Sequence, residues 1–359
     1  MPDRLKQFKD ILKINNLDGF IVTNPYNILY LTGFIGVSPY ESESILVFNP
    51  KPTLIAPKLY QTEALELTSK ELAVKIVKER NEVLEVPKKL LSKCHKVGFE
   101  QESLSFSQYQ EFKKALPGTS LKPFKNTLEN LRLIKSAAEI KKIEKAQIIS
   151  QKAFDSVIRT IKTGQTEEEV AHRLKSIIQE LGGRGLSFES IIASGTNSGK
   201  PHHVSGKRKI KKGEILLFDF GAKYQGYCAD LTRTVFIGRA KDRDKNIYGH
   251  VARAQKQAIS KITNNIKSSD AYHAANDHFK KNGLHGNFTH GLGHGIGLEV
   301  HETPHLRPSI DDPLTENMVF SVEPGLYFPW GGVRIEDLVT IKNGKAKVLG
   351  KTVGGIIEI

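Results

Sequence analysis

The sequence predicts a mixed α/β (α+β) protein with two domains, at residues 1–128 and 129–359. Helical and strand-like patterns alternate over roughly the first 120 residues. A segment rich in turn formers follows at 116–136. Beyond it, long helices precede strands that are expected to pair with their neighbours in the sequence as hairpins. A chain of 359 residues with 39% hydrophobic content can bury a sizeable core, and its length favours two domains or one large domain.

The first domain opens with a helix that leads into a strand. Asp3 can cap this helix, in which Leu5, Phe8 and Leu12 recur at helical spacing, and Gly19 precedes the strand. The elements that follow are expected in this order: strands at 20–22, 44–48 and 53–57, helices at about 59–70 and 82–93, a strand at 96–100 and a helix at about 107–115.

Two capping boxes open the helices of the second domain. Ser136 and Glu139 start a helix that runs to about residue 162, and Thr166 and Glu169 start another that runs to about 181. The later elements are expected as strands near 188–193, 214–220 and 232–237 and helices near 245–264 and 269–281.

No apolar run is long enough for a membrane helix, which needs roughly 20 residues. The polar start of the chain also lacks the apolar segment of a signal peptide. Cys94 and Cys228 lie far apart and outside any Cys-x-x-Cys pair, which predicts reduced thiols. We therefore expect a cytoplasmic protein that does not engage a membrane.

The net charge of +14 is compatible with a nucleic-acid surface, an acidic substrate or a solvated, lysine-rich surface. The lysines are scattered, and neither an arginine-rich tail nor an aromatic RNA-binding signature accompanies them. This favours the solvated surface, so no nucleic-acid partner is expected. The basic run at 206–214 is likewise interpreted as a solvated turn.

The first chemical signal is a hairpin pattern at 214–236, EILLFDFGAKYQGYCADLTRTVF. Asp219 ends an apolar run, where a carboxylate is costly to bury unless a cation or hydrogen bonds compensate it. Gly221 and Gly226 allow the chain to turn, which would bring Asp230 beside Asp219. Two adjacent carboxylates favour a divalent cation, although a turn former and a helix cap would explain the same residues.

A second hairpin pattern at 317–341 repeats the arrangement, with Glu323 before a Pro-Gly turn and Glu336 within VRIEDLV. Between the hairpins lies the histidine-rich stretch FTHGLGHGIGLEVHETPH at 288–305. Oxygen ligands with a single imidazole suit Mn²⁺, Co²⁺, Fe²⁺ or Zn²⁺ better than Ca²⁺. The alternating glycines lack the lysine of a phosphate loop and are expected to let the backbone pack closely.

Taken in order, the motifs FDFG, ADLTRT, HGLGHGIGLEVHE, SVEPG and RIED, with PHH at 201–203, resemble the metal-dependent Xaa-Pro peptidases. This family includes prolidase and Xaa-Pro aminopeptidase and has the pita-bread fold. The segment DGFIVTNPYNILYLTGF at 18–34 resembles the creatinase-like N-terminal domain that these enzymes carry. The resemblance implies hydrolysis of the bond between an N-terminal residue and a proline in the second position of a peptide.

The resemblance also implies a role for each matching residue. Two divalent ions per subunit, Mn²⁺ or alternatively Co²⁺ or Zn²⁺, would be held by five ligands: Asp219, Asp230, His294, Glu323 and Glu336. Asp230 and Glu336 would bridge the ions, which would activate a shared water. Three residues would be catalytic: Glu323 as proton acceptor and donor, with His301 and His202 at the oxyanion. The substrate would contact His202, His290, His301, Arg334 and Tyr327.

Several alternatives stay open at this point. Proteins of this fold that bind peptides, histones or RNA without catalysis form one, and hydrolases or lyases of small methylated substrates form another. Dipeptidase relatives often carry an arginine shortly after the position of His301; here His305 occupies that place and Arg307 follows. Substrate length is therefore open between dipeptides and longer peptides. The resemblance further implies a homodimer, while Cys228 is expected to be a buried apolar thiol.

Overall fold

The computed structural model describes residues 2–36, 43–79, 82–352 and 355–359. It divides into two compact units, residues 1–132 and 133–359. Within the described ranges, no helix combines the length and the apolar character that crossing a bilayer requires.

The first unit is a six-stranded mixed sheet with helices on both faces. The strand order is β4-β3-β2-β1-β5-β6, in which β1 runs antiparallel to β2 and parallel to β5. Its elements are α1 (Pro2–Ile14), β1 (Gly19–Val22), α2 (Pro25–Thr32), β2 (Ile45–Asn49), β3 (Lys51–Pro57), α3 (Gln61–Glu66), β4 (Ala73–Val77), α4 (Glu82–Leu91), β5 (Lys96–Glu100), α5 (Phe106–Ala115), β6 (Ser120–Phe124) and α6 (Thr127–Leu133).

Successive side chains of β1 point to opposite faces of this sheet and pack into the cores on both sides. Phe20 points to one face, where its ring meets Phe8 of α1 at 5.0 Å, and Phe8 also meets Phe48 at 4.8 Å. Ile21 points to the other face, into a core that includes Phe112 of α5. A central strand buried on both faces therefore orders the unit.

In this unit the structure differs from the sequence-based assignment in four elements and one cap; one of the four is α6, which lies in the segment described only as rich in turn formers. The first helix already begins at Pro2, so Asp3 lies in its first turn instead of capping it. Helix α2 was not assigned, although Asn24 caps it and Gly33 ends it at φ 82°. Strands β4 and β6 were also missed because both are edge strands with few fully buried side chains, and β6 carries Pro123.

The second unit contains a three-stranded sheet, β11-β8-β7, and a five-stranded sheet, β14-β13-β16-β19-β20, both antiparallel. Its elements are α7 (Ala137–Val157), α8 (Glu167–Glu180), β7 (Ile191–Ser194), β8 (Ile215–Phe220), β9 (Lys223–Tyr224), β10 (Tyr227–Cys228), β11 (Leu231–Phe236), α9 (Asp242–Lys261), β12 (Ile266–Lys267), α10 (Ser268–Lys281), β13 (Gly293–Gly295), β14 (Glu302–Leu306), β15 (Pro313–Leu314), β16 (Val319–Val322), β17 (Gly325–Phe328), β18 (Gly331–Arg334), β19 (Asp337–Lys342) and β20 (Lys345–Val348).

Each sheet of this unit is covered by its own helix pair. The apolar faces of α7 and α8 share a core with β8 and β11. Within this core the ring of Phe218 from β8 lies 5.5 Å from that of Phe154 from α7. The apolar faces of α9 and α10 share a second core with β16 and β19, which includes Phe279 and Phe320. Both predicted capping boxes are present, Ser136 with Glu139 and Thr166 with Glu169.

Both predicted hairpins are nested rather than simple. β8 pairs with β11, and the shorter hairpin β9–β10 fills the connection between them. In the same way β16 pairs with β19 around the inner hairpin β17–β18. The Pro-Gly turn after Glu323 therefore leads into β17, and Glu336 lies between β18 and β19 instead of inside a strand.

Candidate metal centre

The five predicted ligands line one pocket of about 400 Å³ in the second unit. Asp230, His294 and Glu336 each direct a possible ligand atom to a common point, and these atoms lie within 4.8 Å of one another. Glu323 is adjacent, with its Oε1 3.3 Å from His294 Nε2. Asp219 lines the same pocket from β8. The structure thus brings all five side chains together.

The nested hairpins explain this convergence. Asp230 and Glu336 each immediately precede a long strand, while Glu323 immediately follows β16. The two hairpins also contact each other directly: Glu336 N donates to Thr232 O at 3.2 Å, and Thr232 Oγ1 donates to Glu336 Oε2 at 2.7 Å. The acidic residues of both sheets therefore lie close together, where the long paired strands end and the inner hairpins begin.

Three carboxylate oxygens at this point are buried and accept no hydrogen bond from any described residue: Asp219 Oδ1, Asp230 Oδ1 and Glu336 Oε1. The second oxygen of Asp219 accepts from Arg334 Nη2, and that of Glu336 accepts from Thr232. A buried, unpaired carboxylate oxygen is strongly unfavourable in a protein. The donor set therefore fits divalent cations, for which the free oxygens would be ligands.

Burial dominates the electrostatics of these groups. It raises the pKa of Asp230 and of Glu336 well above the ordinary range, and repulsion from neighbouring carboxylates adds to the effect. Burial also raises the pKa of Glu323 to about 7, although Arg334 opposes that shift. A cluster of this kind favours either protonation or a bound cation, because several negative charges cannot share a small buried volume.

His294 is held in the tautomer that metal binding needs. Its Nδ1 lies 3.0 Å from Gly295 O, so the Nδ1–H donates to the backbone. This leaves the lone pair of Nε2 directed towards Asp230 and Glu323. Burial lowers the pKa of His294, which keeps the imidazole neutral near pH 7.

Arg334, Tyr327 and His290 form a hydrogen-bonded chain beside the carboxylates. Arg334 is 3% exposed, and it donates to Asp219 through Nη2 and to Tyr327 Oη through Nη1 at 2.6 Å. Tyr327 Oη is in turn 2.9 Å from His290 Nε2. Burial lowers the pKa of His290 to about 4, so its neutral Nε2 accepts from Tyr327. One guanidinium thus connects a predicted ligand with two predicted substrate contacts.

His202 and His301 are exposed and line the same pocket. The ring of His301 lies 4.3 Å from that of His294, in an edge-on arrangement. Although His301 keeps contact with solvent, partial desolvation within the pocket lowers its pKa to about 4, and His294 adds to this shift. His301 is therefore neutral near pH 7 and carries one N–H that can donate to a bound substrate.

Two other marked residues lie outside this group. His203 Nε2 is 2.7 Å from Glu167 Oε2, so His203 belongs to a structural contact with α8. Cys228 is buried, its Sγ lies 3.4 Å from Leu298 O, and burial raises the pKa of its thiol to about 11. Cys228 is thus a buried thiol, as predicted.

The residues that orient the predicted ligands were not among the predicted site residues. Ser321 Oγ donates to Glu323 Oε1 at 3.0 Å and accepts from His294 N at 3.0 Å, while Thr232 donates to Glu336. A signal was available: each lies two residues from a predicted ligand, Ser321 before Glu323 and Thr232 after Asp230. The apolar pocket wall was missed too, and it comprises Phe188, Ile191 and Val300.

The glycines of the histidine-rich stretch allow close backbone packing, as predicted. A Cβ at Gly293 would lie 2.0 Å from Ser321 O, and one at Gly295 would lie 2.1 Å from Thr303 O. Both contacts involve backbone atoms, which cannot move aside without displacing a strand. The strand that carries His294 is therefore pressed between β14 and β16.

Replacing Gly293 by alanine is expected to lower the free energy of unfolding by about 1–3 kcal/mol, because the added methyl group forces β13 away from β16. Affinity for divalent metal should fall with it, since His294 is the next residue. Gly286→Ala is the matched control, because a Cβ there meets open space. Chemical denaturation and metal titration of both variants measure the effect, and equal behaviour of the two would contradict the close-packing argument.

Similarity to known proteins extends over nearly the whole chain. The family model described as Metallopeptidase family M24 matches residues 141–343, and the Creatinase/Prolidase N-terminal domain model matches residues 4–134. The Xaa-Pro dipeptidase of Pyrococcus furiosus is 35% identical over 353 residues, which cover 98% of this chain and 99% of that protein.

Solved structures agree with these sequence matches. An Xaa-Pro dipeptidase from Bacillus anthracis superposes with a TM-score of 0.92 at 31% identity and covers 99% of each chain. An X-Pro aminopeptidase from Thermotoga maritima superposes with a TM-score of 0.91 at 30% identity, again over 99% of each chain. The matches confirm the predicted resemblance and fold class, a creatinase-like N-terminal domain followed by a pita-bread domain.

Proposed function

Because the chain belongs to metallopeptidase family M24, we propose that it hydrolyses the peptide bond between an N-terminal residue and proline. The observation that carries this proposal is the set of free, buried carboxylate oxygens of Asp219, Asp230 and Glu336 beside the His294 imidazole. Such a donor set suits divalent metal ions, and the relatives described above are peptidases for Xaa-Pro bonds. Nothing among those relatives favours a non-enzymatic protein that binds peptides, histones or RNA.

The chemistry that bound divalent cations supply is a water of lowered pKa and a polarised carbonyl group. Glu323, at the edge of the carboxylate cluster, accepts a proton from the attacking water and delivers it to the proline nitrogen as the C–N bond breaks, so that proline leaves as a neutral amine. His301 and His202 donate hydrogen bonds to the developing oxyanion from the pocket wall. An Xaa-Pro bond is a tertiary amide without an N–H, so recognition relies on such groups around the carbonyl rather than on a bond to the amide.

Family membership implies divalent metal ions but gives neither their number nor their identity. We propose two ions per subunit, with Mn²⁺ as the first choice and Co²⁺ or Zn²⁺ as alternatives. Four carboxylates with one imidazole support this, because they offer more donors than one ion with bound water requires. As the family resemblance implies, Asp219, Asp230, His294, Glu323 and Glu336 would hold these ions, with Asp230 and Glu336 shared between them.

The subunit arrangement and the compartment are also proposals. A homodimer is proposed because the family resemblance implies one. A cytoplasmic location is proposed because Cys94 and Cys228 are both buried free thiols, which suits a reducing compartment.

Substrate length can be related to Arg307, which lines the pocket three residues beyond the cis bond between Thr303 and Pro304. Its side chain lies over Gly291, where a Cβ would be 3.1 Å from Arg307 Cγ. Among the described residues, the guanidinium has no hydrogen-bond or ion-pair partner. Burial, together with Arg307, lowers the pKa of His305, so Arg307 is the cation of this pair near pH 7. We propose that it binds the free carboxylate of an Xaa-Pro dipeptide.

Two proposals, the peptidase activity and the role of Arg307, are tested by one paired assay. It compares an Xaa-Pro dipeptide with an Xaa-Pro-Yaa tripeptide, with Mn²⁺, Co²⁺ and Zn²⁺ in turn. Arg307→Ala is expected to raise KM for the dipeptide about tenfold, equivalent to roughly 1.4 kcal/mol, and to leave the tripeptide almost unchanged. Arg184→Ala, an exposed arginine outside the pocket, is the control. Equal losses on both substrates would contradict the role of Arg307, whereas absence of bound metal and of cleavage in the unmodified protein would overturn the enzyme proposal.

A further inference from the structure

A buried polar cluster lies next to the predicted ligands, inside the core formed by α9, α10 and the five-stranded sheet. It consists of Arg233 from β11, Gln255 from α9 and Asp337 from β19, which are 5%, 8% and 2% exposed. None of the three lines the pocket. The chemistry proposed for the pocket therefore leaves this cluster unexplained.

The polar atoms of the cluster are directed to the backbone beside two predicted ligands. Arg233 donates through Nη1 to Glu336 O at 2.6 Å and through Nη2 to Asp337 Oδ1 at 2.7 Å. Gln255 Nε2 donates to Asp337 Oδ2 at 3.1 Å, and it also lies 3.1 Å from Val322 O, the residue before Glu323. One cluster thus fixes the carbonyl of Glu336 and the carbonyl preceding Glu323.

Stability alone does not account for an ion pair at this position. Removing two charges from water costs free energy that their attraction often fails to recover, and well-packed apolar residues frequently serve as well. The surrounding core is apolar, with Val322 and Ile335 among its buried members. A polar cluster in such a core is better explained by the orientation that its directional hydrogen bonds impose on the strand ends.

We propose that Arg233, Gln255 and Asp337 are positioning residues for the metal centre, which set the backbone at Glu323 and Glu336 and thereby preorganise both carboxylates. The inference rests on the proposed function, because it takes these two glutamates as metal ligands. Outer contacts of this kind typically change metal affinity or activity by 10- to 100-fold when they are removed. Gln255 joins the backbone before Glu323 to Asp337 beside Glu336, so its amide is the most direct target.

Gln255→Met keeps the side-chain volume and removes the donor. It is expected to weaken Mn²⁺ binding about 10- to 100-fold, measured by titration of the metal-free protein. With saturating metal, kcat on an Xaa-Pro dipeptide should fall, while KM should change less than about threefold. Gln147→Met is the matched control: Gln147 is fully buried on α7, and its side-chain amide has no hydrogen-bond partner among the described residues. The control should retain the Mn²⁺ affinity of the unmodified protein.

A second variant keeps the test decisive if a single substitution prevents folding. In Arg233→Met with Asp337→Leu, the ion pair is replaced by apolar side chains, so no buried charge is left unpaired. We expect a folded protein, verified by circular dichroism, whose Mn²⁺ affinity is again reduced at least tenfold. Unchanged affinity in folded Gln255→Met and in the folded double variant would overturn the inference.

Failure of the proposed function gives a different result. If the unmodified protein binds Mn²⁺ but cleaves no Xaa-Pro peptide, the function is wrong while the affinity ratios still decide the positioning role. If it binds no Mn²⁺, Co²⁺ or Zn²⁺, both the metal centre and this inference are overturned together.

Discussion

Asp230→Asn is expected to abolish peptidase activity and, at the same time, to stabilise the metal-free protein. Asp230 is 4% exposed and has a free buried oxygen beside three other carboxylates, so the amide removes a charge that the folded state tolerates poorly. As a proposed bridging ligand, Asp230 is also needed to hold both ions. We expect kcat/KM to fall at least about a thousandfold, which is roughly 4 kcal/mol of transition-state stabilisation.

The sign of the stability change follows from the pKa. Burial holds the pKa of Asp230 well above its ordinary value of 3.8, so the folded metal-free protein binds more protons than the unfolded chain. Its free energy of unfolding therefore decreases as the pH rises above 3.8, and Asp230→Asn removes this decrease. Denaturation of the metal-free variant at several pH values measures it, with exposed Asp155→Asn as control. Retention of metal-dependent stabilisation in Asp230→Asn would contradict the assignment.

Arg334→Met is expected to have the opposite effect on the metal-free protein. Arg334 is the cation within the cluster of carboxylates. It donates hydrogen bonds to Asp219 and Tyr327, and its Nε donates to Thr232 Oγ1 at 3.1 Å. Removing one partner of a buried ion pair leaves an uncompensated charge, which costs about 3–5 kcal/mol. The loss should be smaller in the metal-loaded protein, because bound cations would neutralise the same carboxylates.

Denaturant unfolding with and without Mn²⁺ tests this expectation, and the transition of the second unit is the one to follow because the chain has two units. Arg173→Met is a suitable control. Arg173 forms a surface ion pair with Glu180, both more than half exposed, and such pairs contribute little. An Arg334→Met protein that is as stable as the control, with or without metal, would show that the guanidinium is not needed to balance the carboxylates.

Some of the predicted ligands could be singled out from the sequence because a carboxylate stands within or at the end of an apolar run. Asp219 ends an apolar strand, and Glu336 lies among Val333, Ile335 and Leu338. A carboxylate buried at such a position needs a cation or hydrogen bonds to compensate it, so the residue type and its neighbours mark a candidate site. The common location of the five side chains, in contrast, depended on the resemblance, since spacing along the chain does not fix how two hairpins pack.

Other features were beyond the sequence for physical reasons. The inner hairpins β9–β10 and β17–β18 are two to four residues per strand, too short for an alternation pattern to stand out. The edge strand β6 contains Pro123, which normally argues against a strand. The link from Arg334 through Tyr327 to His290 depends on which rotamers meet in three dimensions. Helix α2 is different, because the sequence does carry its signals. Asn24 and Pro25 mark its start and Gly33 marks its end.

The contact between the two nested hairpins also has a kinetic consequence. The hydrogen bond from Thr232 to Glu336 closes a loop of 104 residues that contains α9 and α10, so the metal centre depends on contacts of high sequence separation. Such contacts are costly in chain entropy and form slowly. We therefore expect the centre to assemble late in refolding, after each sheet has formed with its own helices. Divalent ions should then act chiefly on the unfolding rate, holding the two sheets together long after either hairpin alone would separate.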